Sequence, residues 1–384
     1  MDKFKVLYLT NIPSPYMVGY LNEFGKYVDL LVVFEKAYDS TRPDSWQHLL
    51  DNTRFENVIL SGKSVSKKLY GDNMGSAPDD KALSFGVVKY LRREYDEIIV
   101  ANPCTPTGII AITYMKMHGI SYSIQSEGGI PGSGKGFKER LKFFLMNKAD
   151  HYFSTCDLDD QYFITYGAKK EEIYRYPFAS ISEKDLPSKI LSKEEKEQFK
   201  SELGITYKQM ILTVGRSVYV KGFDILLKSV KNLSDDTCVF FVGGLCTDEY
   251  REIIRDSSLK NVYFVDNVEA QELRKYYCAA DLFVLPTRSD TWGLVINEAM
   301  TFGLPVITTD KCVAGDALIE NGKNGYIVSI ENEKELRTKI DYLLENKDIA
   351  DKCGEENFAK MRTWTFEEMG KVMYNNILSI MSEA

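Results

Sequence analysis

"ADLFVLPTRSDTWGLVINEAMTFGLPVITTD" runs from Ala280 to Asp310. It opens on a short apolar run (280–287) and passes through a polar loop at 288–292. Helical spacing follows from Gly293, and then a Gly-Leu-Pro turn leads into a second apolar run (304–310). Apolar runs of this length, bounded by turn residues, read as buried strands. A helix between two such strands makes them neighbours in a parallel sheet.

The same alternation extends outward in both directions. "QMILTVGR" (209–216), "TCVFFVGG" (237–244), "NVYFVDNV" (261–268) and "NGYIVS" (324–329) read as further strands. Helices are expected at 222–232, 248–256, 269–279 and 293–302, and the tail from 333 onward is helical. An earlier series has strands at 5–10, 28–35, 56–61, 96–101, 121–126 and 151–156, with helices around 16–26, 81–94, 106–118 and 137–148. Between the two series, "SISEKDLPSKILSKEEKEQFK" (180–200) reads as a linker followed by a helix, which Ser192 and Glu195 open as a capping box. The expected fold is α/β: two doubly wound parallel-sheet domains, 1–180 and 181–365, facing across a cleft. Ligands of such sheets bind beyond the carboxyl ends of the strands.

The chain has 384 residues, which suits two or three domains. Its net charge of −8, from 48 basic and 56 acidic residues, argues against nucleic acid as a partner. Seven cysteines without a Cys-x-x-Cys pair, and only three histidines, point to reduced thiols and no metal site. "MDKFKVLYLTNIPSPY" has no signal-peptide pattern, and no apolar window is long enough to span a bilayer. A cytoplasmic protein is expected.

Chemistry gathers at the strand ends. Arg216 follows Gly215, and Lys221 stands before Gly222 and a new helix. Two cations at a strand-to-helix turn suit a phosphate or diphosphate, or else are ordinary surface charges. Gly243-Gly244 permits a tight turn or close approach to a ligand. The G-x-G-x-x-G fingerprint is absent, which counts against a nicotinamide or flavin enzyme. Asp290 is a candidate sugar ligand or a helix cap. Glu298, one to two turns into the helix, is a hydroxyl ligand or an exposed helix residue.

Together, Gly215-Arg216, Lys221-Gly222, "VGG", "SDTWGLVINEAM" with "GLPVI", and "IENGKNGYIV" resemble the donor domain of GT-B glycosyltransferases. Within these they are similar to the retaining group 1 enzymes of family 4, whose pattern is an acid, seven residues and then Glu. The detailed likeness covers about 209–330. It implies that Arg216 and Lys221 hold the donor diphosphate and that Glu298 holds the ribose hydroxyls. It further implies that Asp290 holds hydroxyls of the transferred sugar, that the amides of Trp292, Gly293 and Leu294 reach phosphates or sugar with Thr291 beside them in the donor site, and that the strand end at Asn267-Val268 lies by the base. Gly215 and Gly243 would shape the donor pocket. The family's first acid is usually Glu, and its Phe-Gly is here Trp292-Gly293. The shorter Asp290 implies a shifted sugar position or a different donor sugar.

On the acceptor side, Glu127 ends a strand in "SEGG" and is the candidate for contacting acceptor or donor sugar, or is a plain turn carboxylate. "GKGFKERLKFFLMNKAD" (135–150 within it) places Phe137, Leu141, Phe144 and Leu145 at helical spacing among lysines and an arginine. Such a basic amphipathic helix lies on an anionic membrane or packs on a core with a solvated rim. "SGKSVSKKLYGDN" (61–73) adds a second basic loop.

The expectation is a glycosyltransferase that retains configuration and needs no cofactor or metal. It would move sugar from a nucleotide-sugar donor, UDP-sugar favoured, to a hydroxyl of a glycan or lipid-linked acceptor in surface polysaccharide synthesis. Peripheral contact with the inner membrane face would run through 135–148, and the last helix, 366–384, would pack back on the first domain. The rival readings are a non-catalytic nucleotide-sugar binding module and a GT-B sugar-nucleotide epimerase.

Overall fold

The structure is a computed structural model that describes residues 3–37, 46, 48–64, 82–132 and 135–383. The chain forms two compact units, Met1–Glu183 with Trp364–Ala384, and Lys184–Thr363.

Unit 1 holds strands β1 (Lys5–Thr10), β2 (Asp29–Phe34), β3 (Glu56–Ile59), β4 (Lys63–Ser64), β5 (Ala82–Leu83), β6 (Glu97–Val100), β7 (Ser123–Gln125), β8 (His151–Ser154) and β9 (Ile173–Arg175). Its first four helices are α1 (Pro15–Phe24), α2 (Pro106–His118), α3 (Phe137–Met146) and α4 (Asp157–Thr165). Seven strands form one parallel sheet in the order β3-β2-β1-β6-β7-β8-β9. Leu7 of β1 lies opposite Leu31 of β2 and Ile98 of β6. In the middle of the sheet β1 past Lys5, β6 and β7 are buried at every position, as strands covered on both faces are, whereas the edge strand β3 is largely exposed.

Unit 2 opens with α5 (Lys193–Glu202), whose Ser192 and Glu195 form the expected capping box. Then come β10 (Gln209–Val214), α6 (Phe223–Ser229), β11 (Thr237–Val242), α7 (Asp248–Asp256), β12 (Val262–Val265), α8 (Ala270–Ala279), β13 (Leu282–Leu285), α9 (Leu294–Thr301), β14 (Val306–Thr309), α10 (Val313–Leu318), β15 (Gly325–Val328), α11 (Glu333–Glu345) and α12 (Lys347–Met361). The six strands are parallel in the order β12-β11-β10-β13-β14-β15. Strand order therefore reverses between β10 and β13, which makes that pair the topological switch point of the unit.

The last helix, α13 (Phe366–Glu383), belongs to unit 1. It packs on α1 so closely that a methyl group on Gly370 would meet the backbone nitrogen of Phe24 at 2.8 Å. Tyr374 stacks on Tyr27 with ring centres 5.2 Å apart.

One expected helix is corrected. In place of 81–94 the chain forms β5 and a short 3-10 turn, Phe85–Lys89. The reason is tertiary. Thr107 at the start of α2 accepts from the Ser84 amide at 3.1 Å and donates to the Ala82 carbonyl at 2.7 Å, which holds this segment extended. The sequence reading also missed α4, α10 and β9, whose short or polar stretches carry little periodicity.

Candidate functional site

The site is built at the switch point of unit 2. β10 delivers Gly215 and Arg216, and the chain then makes a 3-10 turn, Tyr219–Lys221. β13 delivers Pro286 and the loop 287–292. The two loops are stitched together: the Val220 carbonyl accepts from the Arg288 amide and from the Thr287 hydroxyl, each at 2.7 Å. Gly222 makes this approach possible. Its φ is +66°, and a Cβ there would stand 2.0 Å from the Pro286 carbonyl oxygen.

The closure joins two of the expected ligands. Lys221 Nζ lies 2.5 Å from Asp290 Oδ2, with side-chain exposures of 20% and 14%. Asp290 is therefore not the cap of α9. That position belongs to Gly293, at φ +101°, and no side chain caps the helix. Asp290 is held from behind as well, because its amide donates to the Lys311 carbonyl at 2.9 Å. Trp292 is buried, donates from its indole to Asn297 Oδ1 at 2.7 Å, and accepts from the Ala314 amide at 2.9 Å through its carbonyl. These ties fix the strand-to-helix turn, so the leading amides of α9 at Leu294 and beyond hold one direction.

Glu298 stands on the second turn of α9. It is partly buried, and the Tyr277 hydroxyl of α8 donates to its Oε2 at 2.7 Å. Burial raises its pKa, and the Tyr277 hydrogen bond opposes that rise. Gly215 and Gly243 follow directly on β10 and β11, with the Gly215 amide donating to the Val242 carbonyl at 2.9 Å. Arg216, Thr291 and Asn267 are exposed, and the Asn267 amide turns back to Asp266 Oδ1 at 2.7 Å. Val268 follows on the same loop. No contact joins Asn267 to the Lys221–Asp290 pair among the described residues.

The sequence reading overlooked Arg288. Its guanidinium takes both oxygens of Asp224 at 2.8 Å, donates to the Tyr219 carbonyl at 2.7 Å, bonds Glu331, and lies 4.0 Å over the Tyr219 ring. It braces the turn that carries Lys221. A cation at a strand end was the only signal in the sequence, since its partners Asp224 and Glu331 are far away along the chain.

In unit 1, Glu127 lies just past β7. Tyr16 of α1 donates to it at 3.3 Å, and burial pushes its pKa up to about 7 against that hydrogen bond. On α3 the expected apolar stripe divides. Leu145 is fully buried and Leu141 packs partly buried on the core, whereas Phe137 and Phe144 are 82% and 47% exposed, and the neighbouring Phe143, outside the expected stripe, is 46% exposed. Lys142 is not on a solvated rim but lies over the rings of Tyr162 and Tyr166. Of the basic loop 61–73, residues 65–73 fall outside the described residues. No helix among the described residues is long and apolar enough to cross a membrane.

Two parallel-sheet α/β units in one chain are the architecture of the GT-B fold. Residues 194–360 match the family described as Glycosyl transferases group 1. It is 30% identical over 172 residues to spore coat protein SA of Bacillus subtilis, covering 41% of this chain and 45% of that protein. It is 26% identical over 201 residues to the alpha-galactosylglucosyldiacylglycerol synthase of Streptococcus pneumoniae, covering 50% and 53%. The matches thus span about half the length of these relatives. Among solved structures, Anabaena Alr3699/HepE in complex with UDP and glucose superposes with a TM-score of 0.74 at 17% identity, covering 99% of this chain and 100% of that one.

Proposed function

We propose that this protein is a retaining glycosyltransferase that moves a sugar from a UDP-sugar to a hydroxyl of a glycan or lipid-linked glycan in surface polysaccharide synthesis. The observation that carries the reading is the Lys221–Asp290 pair at the β10/β13 switch point, beside the N-terminus of α9. A cation for a diphosphate and an acid for sugar hydroxyls meet where such sheets take ligands. The names of the relatives, a coat protein and a glycolipid synthase, favour the acceptor class. UDP in the HepE complex favours the base.

In this reading Arg216 and Lys221 meet the charge of the leaving diphosphate, together with the leading amides of α9. Asp290 releases Lys221 and takes sugar hydroxyls. Glu298 takes the ribose, Asn267-Val268 border the base, and Glu127 is a sugar-hydroxyl ligand on unit 1. With two cations and oriented amides on the diphosphate, transfer runs without a bound metal, and EDTA leaves turnover unchanged. The exposed phenylalanines of α3 and the lysines around them seat unit 1 on the anionic inner face of the membrane.

The test is thermal stabilisation by UDP, GDP and TDP in the wild type and in Glu298→Ala. Saturation at about 100 times Kd adds about 2.7 kcal/mol. UDP should stabilise the wild type, and the variant should lose most of the effect. No shift with any of the three sinks the reading. Sugar transfer from the donor then separates an enzyme from a binding module, and interconversion of two donors would identify an epimerase instead.

A further inference from the structure

Tyr277 was singled out by nothing in the sequence, yet it is the hydrogen-bond donor to Glu298. The residue is 2% exposed. It stacks on Phe302, with centres 5.5 Å apart and planes 6° apart, and leans on Phe283 at 6.0 Å. The Arg274 guanidinium lies 5.4 Å from the Phe302 ring. A phenol clamped between rings cannot rotate away from its acceptor without repacking the core. Its 2.7 Å hydrogen bond therefore fixes the torsion of the Glu298 carboxylate.

A carboxylate offers about four acceptor sites, and Tyr277 uses one of them. A pair of vicinal hydroxyls needs two more, in one plane and with the carboxylate held still. Without the clamp, the side chain would lose rotamer freedom at the moment the ligand binds, and affinity would fall accordingly. The clamp sits on α8 and the carboxylate on α9, so the packing of these two helices sets the aim of the group.

We propose that Tyr277 is a positioning residue that holds the Glu298 carboxylate in the one orientation able to accept both ribose hydroxyls of the donor. The proposal rests on the assignment of Glu298 to the ribose. It makes Tyr277, through Glu298, a determinant of the preference for ribonucleotides over deoxyribonucleotides.

The experiment compares Kd for UDP and 2′-deoxy-UDP in the wild type and in Tyr277→Phe, alongside kcat and KM for UDP-sugar. A hydrogen bond to a charged group corresponds to roughly tenfold or more in affinity. The wild type should therefore prefer UDP by about that factor. Tyr277→Phe should lose most of the preference and raise KM, with kcat nearly unchanged. A merely structural role would weaken both nucleotides alike and leave their ratio intact. A wild type that prefers UDP beside a variant with the same preference overturns the role of Tyr277. A wild type that binds UDP but does not distinguish the two nucleotides overturns the ribose assignment of Glu298 itself. Phe302→Leu, which keeps the hydroxyl and loosens the stack, is the second variant if Tyr277→Phe does not fold. It should lose part of the preference, and an unchanged ratio counts against the clamp.

Discussion

At the residue scale, two carboxylates carry opposite lessons. Asp290 is already paired, so in the proposed function a donor diphosphate draws Lys221 away from it. Asp290→Asn should therefore bind free UDP more tightly, on the order of threefold to tenfold, while turnover of the UDP-sugar falls. Titration calorimetry beside a transfer assay checks this, and weaker UDP binding would mean that Asp290 positions Lys221 instead of competing for it. Among the described residues the recorded side-chain partner of Glu127 is the Tyr16 hydroxyl, and burial lifts the carboxyl to about 7. A raised acid favours its proton in the folded state. The cost of ionising it is absent below about pH 4.5, grows as pH rises and is complete above about pH 7. Glu127→Gln should thus gain stability over the wild type between about pH 5 and about pH 8, by roughly 3 kcal/mol at most. Denaturant melts at the two pH values measure the gain, and an equal difference at both would mean that Glu127 does not titrate in that window.

At the element scale, the turn between β10 and α6 is held by shape. Gly222→Ala would have to adopt φ +66° and move the Pro286 carbonyl, which would stand 2.0 Å from the new Cβ. The expected cost is about 2 kcal/mol or more, together with loss of UDP stabilisation because Lys221 moves with the turn. Unchanged UDP binding in a destabilised variant would separate the turn from the site. On α3, the exposed Phe137 and Phe143 should matter for lipid and not for folding. Replacing both with Asp should abolish sedimentation with phosphatidylglycerol vesicles and leave the melting temperature within about 2 °C of the wild type. Binding that persists in the double variant, or that is equal on neutral phosphatidylcholine, rejects α3 as the membrane face.

At the scale of the whole molecule, unit 1 is closed by the end of the chain. Met369, Met373 and Ile377 of α13 are fully buried. Met373→Ala should cost about 2–5 kcal/mol, felt in the transition of unit 1. UDP should raise the transition of unit 2. Scanning calorimetry of the variant with and without UDP reads both effects. A UDP shift seen only in the transition lowered by Met373→Ala would place the nucleotide on the wrong unit.

The sequence by itself determined the α/β class and the parallel sheets. Strands such as "ILTV" and "LFVL" are short apolar runs between helical stretches, and buried parallel pairing is the arrangement that satisfies them. It also placed Lys221, Asp290 and Glu298 at strand ends and on the following helix, because those positions follow from local order along the chain. It misjudged 81–94, where Thr107 overrides helical spacing with two hydrogen bonds. Only the tertiary structure decided the partners: Lys221 with Asp290, Tyr277 with Glu298, and Arg288 with Asp224 and Glu331. These pairs join residues separated by whole strands and helices. Periodicity reports which face of an element is buried, and it carries no record of what lies across from that face.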